Sequence, residues 1–319
     1  MHPLLPEILA AEERIRPHIL QTPLIHSMPL SDRTGADVYL KMESEQHTNS
    51  FKARGAMNKV LSLAAEERAP GVVTSSTGNH AQGVARACMI AGCPGTIYLP
   101  NGVDPSKVEA IQRYTVDLVF NDGNALETEL HAKHQAAVQG KIWISPYNDP
   151  QIIGGQGTIG IELSRQLPSA DDVIVTVGGG GLIGGIAVYV KAHMPGTRFI
   201  GGQPDRSAAM YHCIRAGRIV RTEQHETLSD GSAGDVEPGS ITFPVCRDLV
   251  DEYILVSEEE IGEAIRFMVH EHHKIVEGAA GVAVASLLKR KDEFRGRTVV
   301  IVICGANIAA STLKTVLAS

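Results

Sequence analysis

From residue 37 onward, short apolar runs alternate with helical patterns, and this alternation constrains the fold more than any other feature of the chain. The runs at 37–42, 72–75, 96–99, 116–120, 173–177, 198–200 and 298–303 read as short buried strands. Between them, 80–90, 105–114, 126–138, 159–166 and 183–192 carry helical patterns. Pro105 marks one helix start, since proline is tolerated in a first turn. Strands alternating with helices imply βαβ units, hence parallel sheet with helices on both faces. The fold class predicted is α/β. At 319 residues the chain has length for one large domain or two moderate ones. No internal repeat or low-complexity linker divides it. The polar, glycine-containing stretch 222–240 is long for a loop, and such loops are often functional or mobile.

Charge narrows the partners. There are 29 basic and 36 acidic residues, a net charge of −7, and no basic run. Nucleic acid and anionic membrane are therefore poor candidates. An anionic small ligand must be held by local donors, not by the global field. The five cysteines, Cys88, Cys93, Cys213, Cys246 and Cys304, are odd in number and scattered, unlike a disulfide framework. Cys88 and Cys93 lie on either side of a helix end, and no pair has zinc-ligand spacing. A reducing cytoplasm is the simplest home. The first 16 residues lack the apolar core of a signal peptide. No stretch approaches the ~20 apolar residues of a membrane span. The last predicted strand is followed by about one helix, and no appended regulatory domain is expected.

Three segments carry candidate chemistry. Gly178, Gly179, Gly180 and Gly181 lie between the run 173–177 and the helix 183–192. A tight turn needs one or two glycines; four let backbone N–H groups converge on an oxyanion at a helix start. A dinucleotide site would put its glycines on the first βα unit, with an acidic residue ~20 positions on. Here the turn is mid-chain and Asp205 is only loosely placed; no Walker lysine follows. Ser76, Thr77, Gly78, Asn79 and His80 also follow a strand and open a helix. Capping requires one such residue, whereas the cluster suits a carboxylate. His80 alone would more often be structural. Lys52, in Ser50-Phe51-Lys52-Ala53-Arg54-Gly55, is by itself a solvated lysine or, if protected, a Schiff-base lysine. Cys304, at a strand end, reads alone as a small buried hydrophobe.

Together these segments resemble the fold-type II pyridoxal-phosphate family, the tryptophan synthase β-subunit superfamily, and within it the serine/threonine dehydratase and serine racemase branch. The resemblance spans most of the chain. It includes Lys41-Met42-Glu43, Ser50 to Gly55, Ser76-Thr77-Gly78-Asn79-His80, Gly155-Gln156-Gly157-Thr158, the four glycines, Glu277-Gly278-Ala279-Ala280-Gly281 and Cys304-Gly305-Ala306-Asn307. It implies two domains with parallel-rich twisted sheets flanked by helices: a small domain at 51–142, and a large cofactor-binding domain from 1–50 and 143–319. Lys52 would carry pyridoxal 5'-phosphate as a Schiff base and act as general base at Cα. Phe51 would lie beside the ring. Gly178, Gly179, Gly180, Gly181 and Leu182 would cradle the phosphate, and Asn79 would meet the phenolic oxygen. Ser76, Thr77, Asn79 and His80 would grip the substrate carboxylate. Cys304 would face the ring nitrogen, where a neutral thiol does not enforce protonation. The ring is then a weaker electron sink, favouring loss of a β-leaving group over transamination. The implied activity is elimination of water and ammonia from a small β-hydroxy amino acid such as L-threonine or L-serine, by a cytoplasmic homodimer. The pocket walls are expected from 222–240 and from around Tyr147.

Two positions depart from the branch. Threonine dehydratases have a small apolar residue at Thr77, and serine racemases have a serine acting as second acid/base. A threonine keeps racemization, of serine or aspartate type, as the alternative activity. The positions where racemase-like members hold a divalent cation match Gln203 and Ala209, which offer no carboxylate, so no metal is expected there. Ser76-Thr77-Gly78-Asn79, Phe243 to Arg247 and Ile275 to Gly278 also resemble dehydratases of hydroxyectoine breakdown.

Overall fold

The computed structural model describes residues 2–319. Among them, ten strands form two sheets: β1 Leu24–His26, β2 Asp37–Lys41, β3 Val72–Ser75, β4 Gly95–Pro100, β5 Asp117–Asn121, β6 Ile142–Trp143, β7 Asp172–Thr176, β8 Arg198–Pro204, β9 Glu252–Val256 and β10 Thr298–Val302. The six-stranded sheet has the order β1-β2-β10-β7-β8-β9, and the four-stranded sheet the order β5-β4-β3-β6. Every pairing is parallel except β1 with β2. Central β7 and β10 are apolar and buried on both faces, as strands covered by helices on both sides must be. The predicted α/β class and parallel sheets are found.

Three strands were not legible. β1 and β6 have three and two residues, too few for a pattern. β9 is an edge strand whose apolar run, Tyr253 to Val256, is short and of mixed burial, and it stands outside the predicted strands.

The helix Pro150–Gln166 is longer than predicted. Its first half holds Gly154, Gly155 and Gly157, residues of low helix propensity. Asp149 caps it, accepting from the N–H groups of Gln151 and Ile152 at 2.8 and 3.1 Å. The glycines permit close helix crossings. A Cβ on Gly155 would lie 2.6 Å from Gly55 Cα in the helix Lys52–Ser62. One on Gly185, in the helix Gly181–His193, would lie 2.5 Å from the Ile153 carbonyl. One central helix thus positions both the lysine helix and the glycine turn.

The lysine helix is also held electrostatically. Arg54, fully buried, bonds Glu43 at 2.7 and 2.8 Å and Glu162 at 2.8 and 2.9 Å. Lys41 bonds Glu162 at 2.6 Å, and Arg16 reaches it at 2.9 Å. Burial alone would push Glu162 up, but Arg54 and Lys41 hold it down to about 2.

Candidate active site

Lys52 opens its helix beside the C-terminal end of β10, because the Phe51 N–H donates to the Cys304 carbonyl at 3.0 Å. Its ammonium donates to the Pro146 carbonyl at 2.7 Å and sits 5.1 Å from the Phe51 ring centre. Burial lowers its pKa to about 8, against the attraction of Cys304 and Glu277. An amine so placed has a far larger neutral fraction near physiological pH than a free lysine, and the neutral form is what a nucleophile or base requires.

The glycine turn is a ready anion cradle. Among the described residues, none accepts from the N–H groups of Gly178 to Leu182. Behind the turn, the Thr242 hydroxyl donates to the Gly179 carbonyl at 2.6 Å and the Cys246 thiol to the Gly180 carbonyl at 3.7 Å. The turn's acceptors are thereby occupied and its donors left free. At its front, a Cβ on Gly179 would collide with the Tyr147 ring. The Tyr147 hydroxyl accepts from the Glu237 N–H at 2.8 Å, so the ring is tethered to the 222–240 stretch. That stretch holds only a short 3-10 turn, Asp230–Ser232, whose Ser232 carbonyl lies 2.9 Å from the Cβ position of Gly178. Gly180 has φ +85°, and a Cβ there would stand 2.6 Å from Cys246 Sγ. Gly180→Ala therefore combines left-handed strain of about 1–2 kcal/mol with crowding. Titration with pyridoxal phosphate should show affinity weakened by about tenfold or more.

The third segment follows β3. The Gly78 N–H donates to Ser76 Oγ at 3.2 Å, shaping the turn; Ser76, Thr77 and Asn79 are half-buried. The Asn79 amide donates to both oxygens of Glu277 at 2.9 Å and accepts from the Asn307 amide at 2.6 Å. The Asn307 N–H bonds Glu277 at 3.1 Å. A Cβ on Gly305 would come within 2.5 Å of the same carboxyl. Burial raises the Glu277 carboxyl to about 7, with Asn79 opposing. Glu277 and Asn307 were quoted in the resemblance but given no role by sequence reasoning. They hold Asn79, and the sequence signal for them was only their place in those motifs.

Other predicted residues are placed as follows. The His80 ring turns inward, with Nε2 at 3.2 Å from the Ile144 carbonyl and Nδ1 buried without a partner. Cys304 is buried at the end of β10, and burial, with Glu277 nearby, pushes its thiol well up. Gln203 spends its amide on the backbone, donating to the Val177 carbonyl at 3.0 Å and accepting from the Tyr211 N–H at 2.8 Å. Asp205, the acidic residue of the dinucleotide alternative, is exposed.

Burial, then repulsion from Lys52, lowers His80 from 6.5 to about 3, so it resists protonation that the unfolded chain accepts. Its contribution to stability is lost as pH falls from 6.5 toward 3. Glu277 acts oppositely: folding favours its proton, so stability is lost as pH rises from 4.5 toward 7. Glu162 joins His80 on acidification, losing its contribution from 4.5 toward about 2. Each group contributes a slope of at most about 1.4 kcal/mol per pH unit. Denaturant unfolding should therefore show a shallow dependence between pH 4.5 and 6.5 and a steep decline below 4.5.

These features fit a phosphorylated aldehyde: free N–H donors at a helix start for the phosphate, and a buried amine of lowered pKa for the carbonyl. Comparison with known proteins agrees. The family model described as "Pyridoxal-phosphate dependent enzyme" matches residues 15–305. An L-threonine ammonia-lyase of Thermotoga maritima is 40% identical, over 98% of this chain and 78% of that one. Threonine deaminase isoform 2 from Solanum lycopersicum superposes with a TM-score of 0.94 at 36% identity, over 98% of this chain and 91% of that one. Maize serine racemase gives 0.92 at 32%, over 98% and 95%. No helix among the described residues is long and apolar enough to cross a membrane. The free donors, the buried amine and the extent of these matches lead to one conclusion: the chain belongs to the pyridoxal-phosphate dependent enzyme family.

Proposed function

We propose that the protein eliminates water from a small β-hydroxy amino acid, L-threonine or L-serine, and that the enamine so formed takes water back on hydrolysis, releasing ammonia and the 2-oxo acid. The observation that carries this reading is the desolvated Lys52 amine in a chain 40% identical to an L-threonine ammonia-lyase. When bound, pyridoxal phosphate supplies the electron sink that acidifies the Cα–H bond. The free N–H groups of Gly178, Gly179, Gly180, Gly181 and Leu182 would hold its phosphate, and Phe51 would flank its ring. Asn79, oriented by Glu277 and Asn307, would meet its phenolic oxygen. Cys304, kept a neutral thiol by burial, would not enforce protonation of the ring nitrogen, which would favour elimination.

The loop of Ser76, Thr77, Asn79 and His80 binds the substrate carboxylate. The Lys52 amine would take the Cα proton, and the β-hydroxyl would leave as hydroxide, taking up a proton to become water. Residues 51–142 act as a small domain that closes on the cleft and excludes water. Lys107 pairs with Asp230 at 2.9 Å and Lys133 with Glu237 at 2.6 Å, tying that part to the 222–240 stretch. Such partly exposed pairs contribute about 0–1 kcal/mol each, weak enough to open every turnover. The enzyme works in the cytoplasm as a homodimer, without a divalent cation at Gln203 and Ala209.

A second reading, racemization of serine or aspartate type, is favoured by one feature, the hydroxyl of Thr77 in the substrate loop. The test is the absorption spectrum of the purified protein, followed by L-serine, L-threonine and hydroxyaspartate with assay of 2-oxo acid. A visible imine band that one substrate perturbs, with oxo acid formed, supports the dehydratase and names its substrate. A band without oxo acid, with inversion on chiral analysis, supports the racemase. Thr77→Ala separates the two: any inversion should be lost and elimination spared.

A further inference from the structure

Outside the site, Cys88 and Cys93 meet at the end of the helix Asn79–Ala91. Gly92 follows the helix in the left-handed conformation, φ 62° and ψ 34°, and its N–H returns to the Cys88 carbonyl. The Cys93 N–H bonds the same carbonyl at 3.1 Å. This reversal is the Schellman type, in which the residue after the glycine packs on the residue four positions before it. That contact is usually apolar; here both partners are thiols, within hydrogen-bonding reach of each other. The remaining cysteines, Cys213, Cys246 and Cys304, are buried and stand apart from this pair.

The two thiols are not equivalent. Cys88 is 1% exposed and packs among Met57, Val60 and Val84. Cys93 is 9% exposed, between exposed Gly92 and Pro94. The hydrogen bond from Cys88 lowers the Cys93 thiol to about 7 against the effect of burial, and the Arg68 guanidinium adds to the lowering. The outer sulfur is therefore the nucleophile, and the inner one is held against it.

We propose that Cys88 and Cys93 form an oxidisable dithiol, a modification site that takes a peroxide and closes to a reversible disulfide. The Cys93 thiolate sulfur attacks one peroxide oxygen; the O–O bond breaks and hydroxide leaves, taking a proton to become water. The Cys88 sulfur then attacks the resulting sulfenic sulfur. The S–S bond forms, the S–O bond breaks, and hydroxide leaves with the Cys88 proton as a second water. Two thiols lose two electrons in total, and one hydrogen peroxide becomes two waters. The backbone already makes the required reversal at Gly92, so closure asks for side-chain rotation and little else. The bridge links residues at the far end of the helix that begins with Asn79, so the site itself is not consumed.

The experiment treats the native holoenzyme with hydrogen peroxide at low molar excess, blocks remaining thiols, and counts them after denaturation. Cys88 and Cys93 share the tryptic peptide 87–107, which would lose two hydrogens on bridging. The expected result is a fall from five free thiols to three, restored by dithiothreitol, with the loss confined to that peptide. Cys93→Ser, at the edge of the core, should fold and form no bridge. The proposal is overturned if five thiols persist, if the loss falls on Cys213, Cys246 or Cys304, or if Cys93 goes to sulfinic acid without bridging. It is equally overturned if the Cys93→Ser protein loses two thiols as the wild type does.

Discussion

Lys52→Ala is expected to lower 2-oxo acid formation by more than about a thousandfold, because covalent attachment and the proton-transferring amine are lost together. The visible absorption of the lysine–aldehyde imine should vanish with it. The protein should still fold. The ammonium makes a single hydrogen bond, to the Pro146 carbonyl, and its burial disfavours its charge. Thermal unfolding should therefore stay near the wild-type midpoint. Turnover within tenfold of wild type would remove Lys52 from the mechanism. Bound cofactor with unchanged absorption would show that another amine carries it.

Arg54→Ala should give the largest loss of stability of any single change considered. Removing the guanidinium strands two fully buried carboxylates, Glu43 and Glu162, with only Lys41, Arg16 and the hydroxyl and N–H of Thr22 to compensate. Breaking such a pair costs about 3–5 kcal/mol, most of it the penalty of uncompensated charge. Urea unfolding should show the midpoint shift with little change in slope. Arg54→Lys should recover only part of it, since an ammonium cannot reproduce the fork that spans both carboxylates. A loss under about 1 kcal/mol would mean that Glu162 and Glu43 can protonate or hydrate without cost, against the tight geometry of the cluster. Arg54 lies two residues from Lys52, so a milder variant that folds should also hold cofactor less tightly.

The sequence by itself determined the α/β class, because continuous apolar runs separated by helical periodicity can be buried only in a sheet covered on both sides. It also determined the glycine turn, since four adjacent glycines have a local backbone reason to exist, and the position of Lys52 at a helix start. Tertiary structure decided what these residues face. Nothing local ties Glu277 and Asn307 to Asn79; that contact joins segments 198 and 228 residues apart. The interior glycines of the helix Pro150–Gln166 have no local helical benefit; what they permit, close approach to Gly55 and Gly185, belongs to other helices. Tyr147 and the 222–240 stretch could be named as pocket walls but not joined, since the hydrogen bond between Tyr147 and Glu237 spans 90 residues. Periodicity and turn chemistry act over a few residues. The electrostatics of a buried site depend on which distant charges the fold brings together, and only the folded chain fixes that.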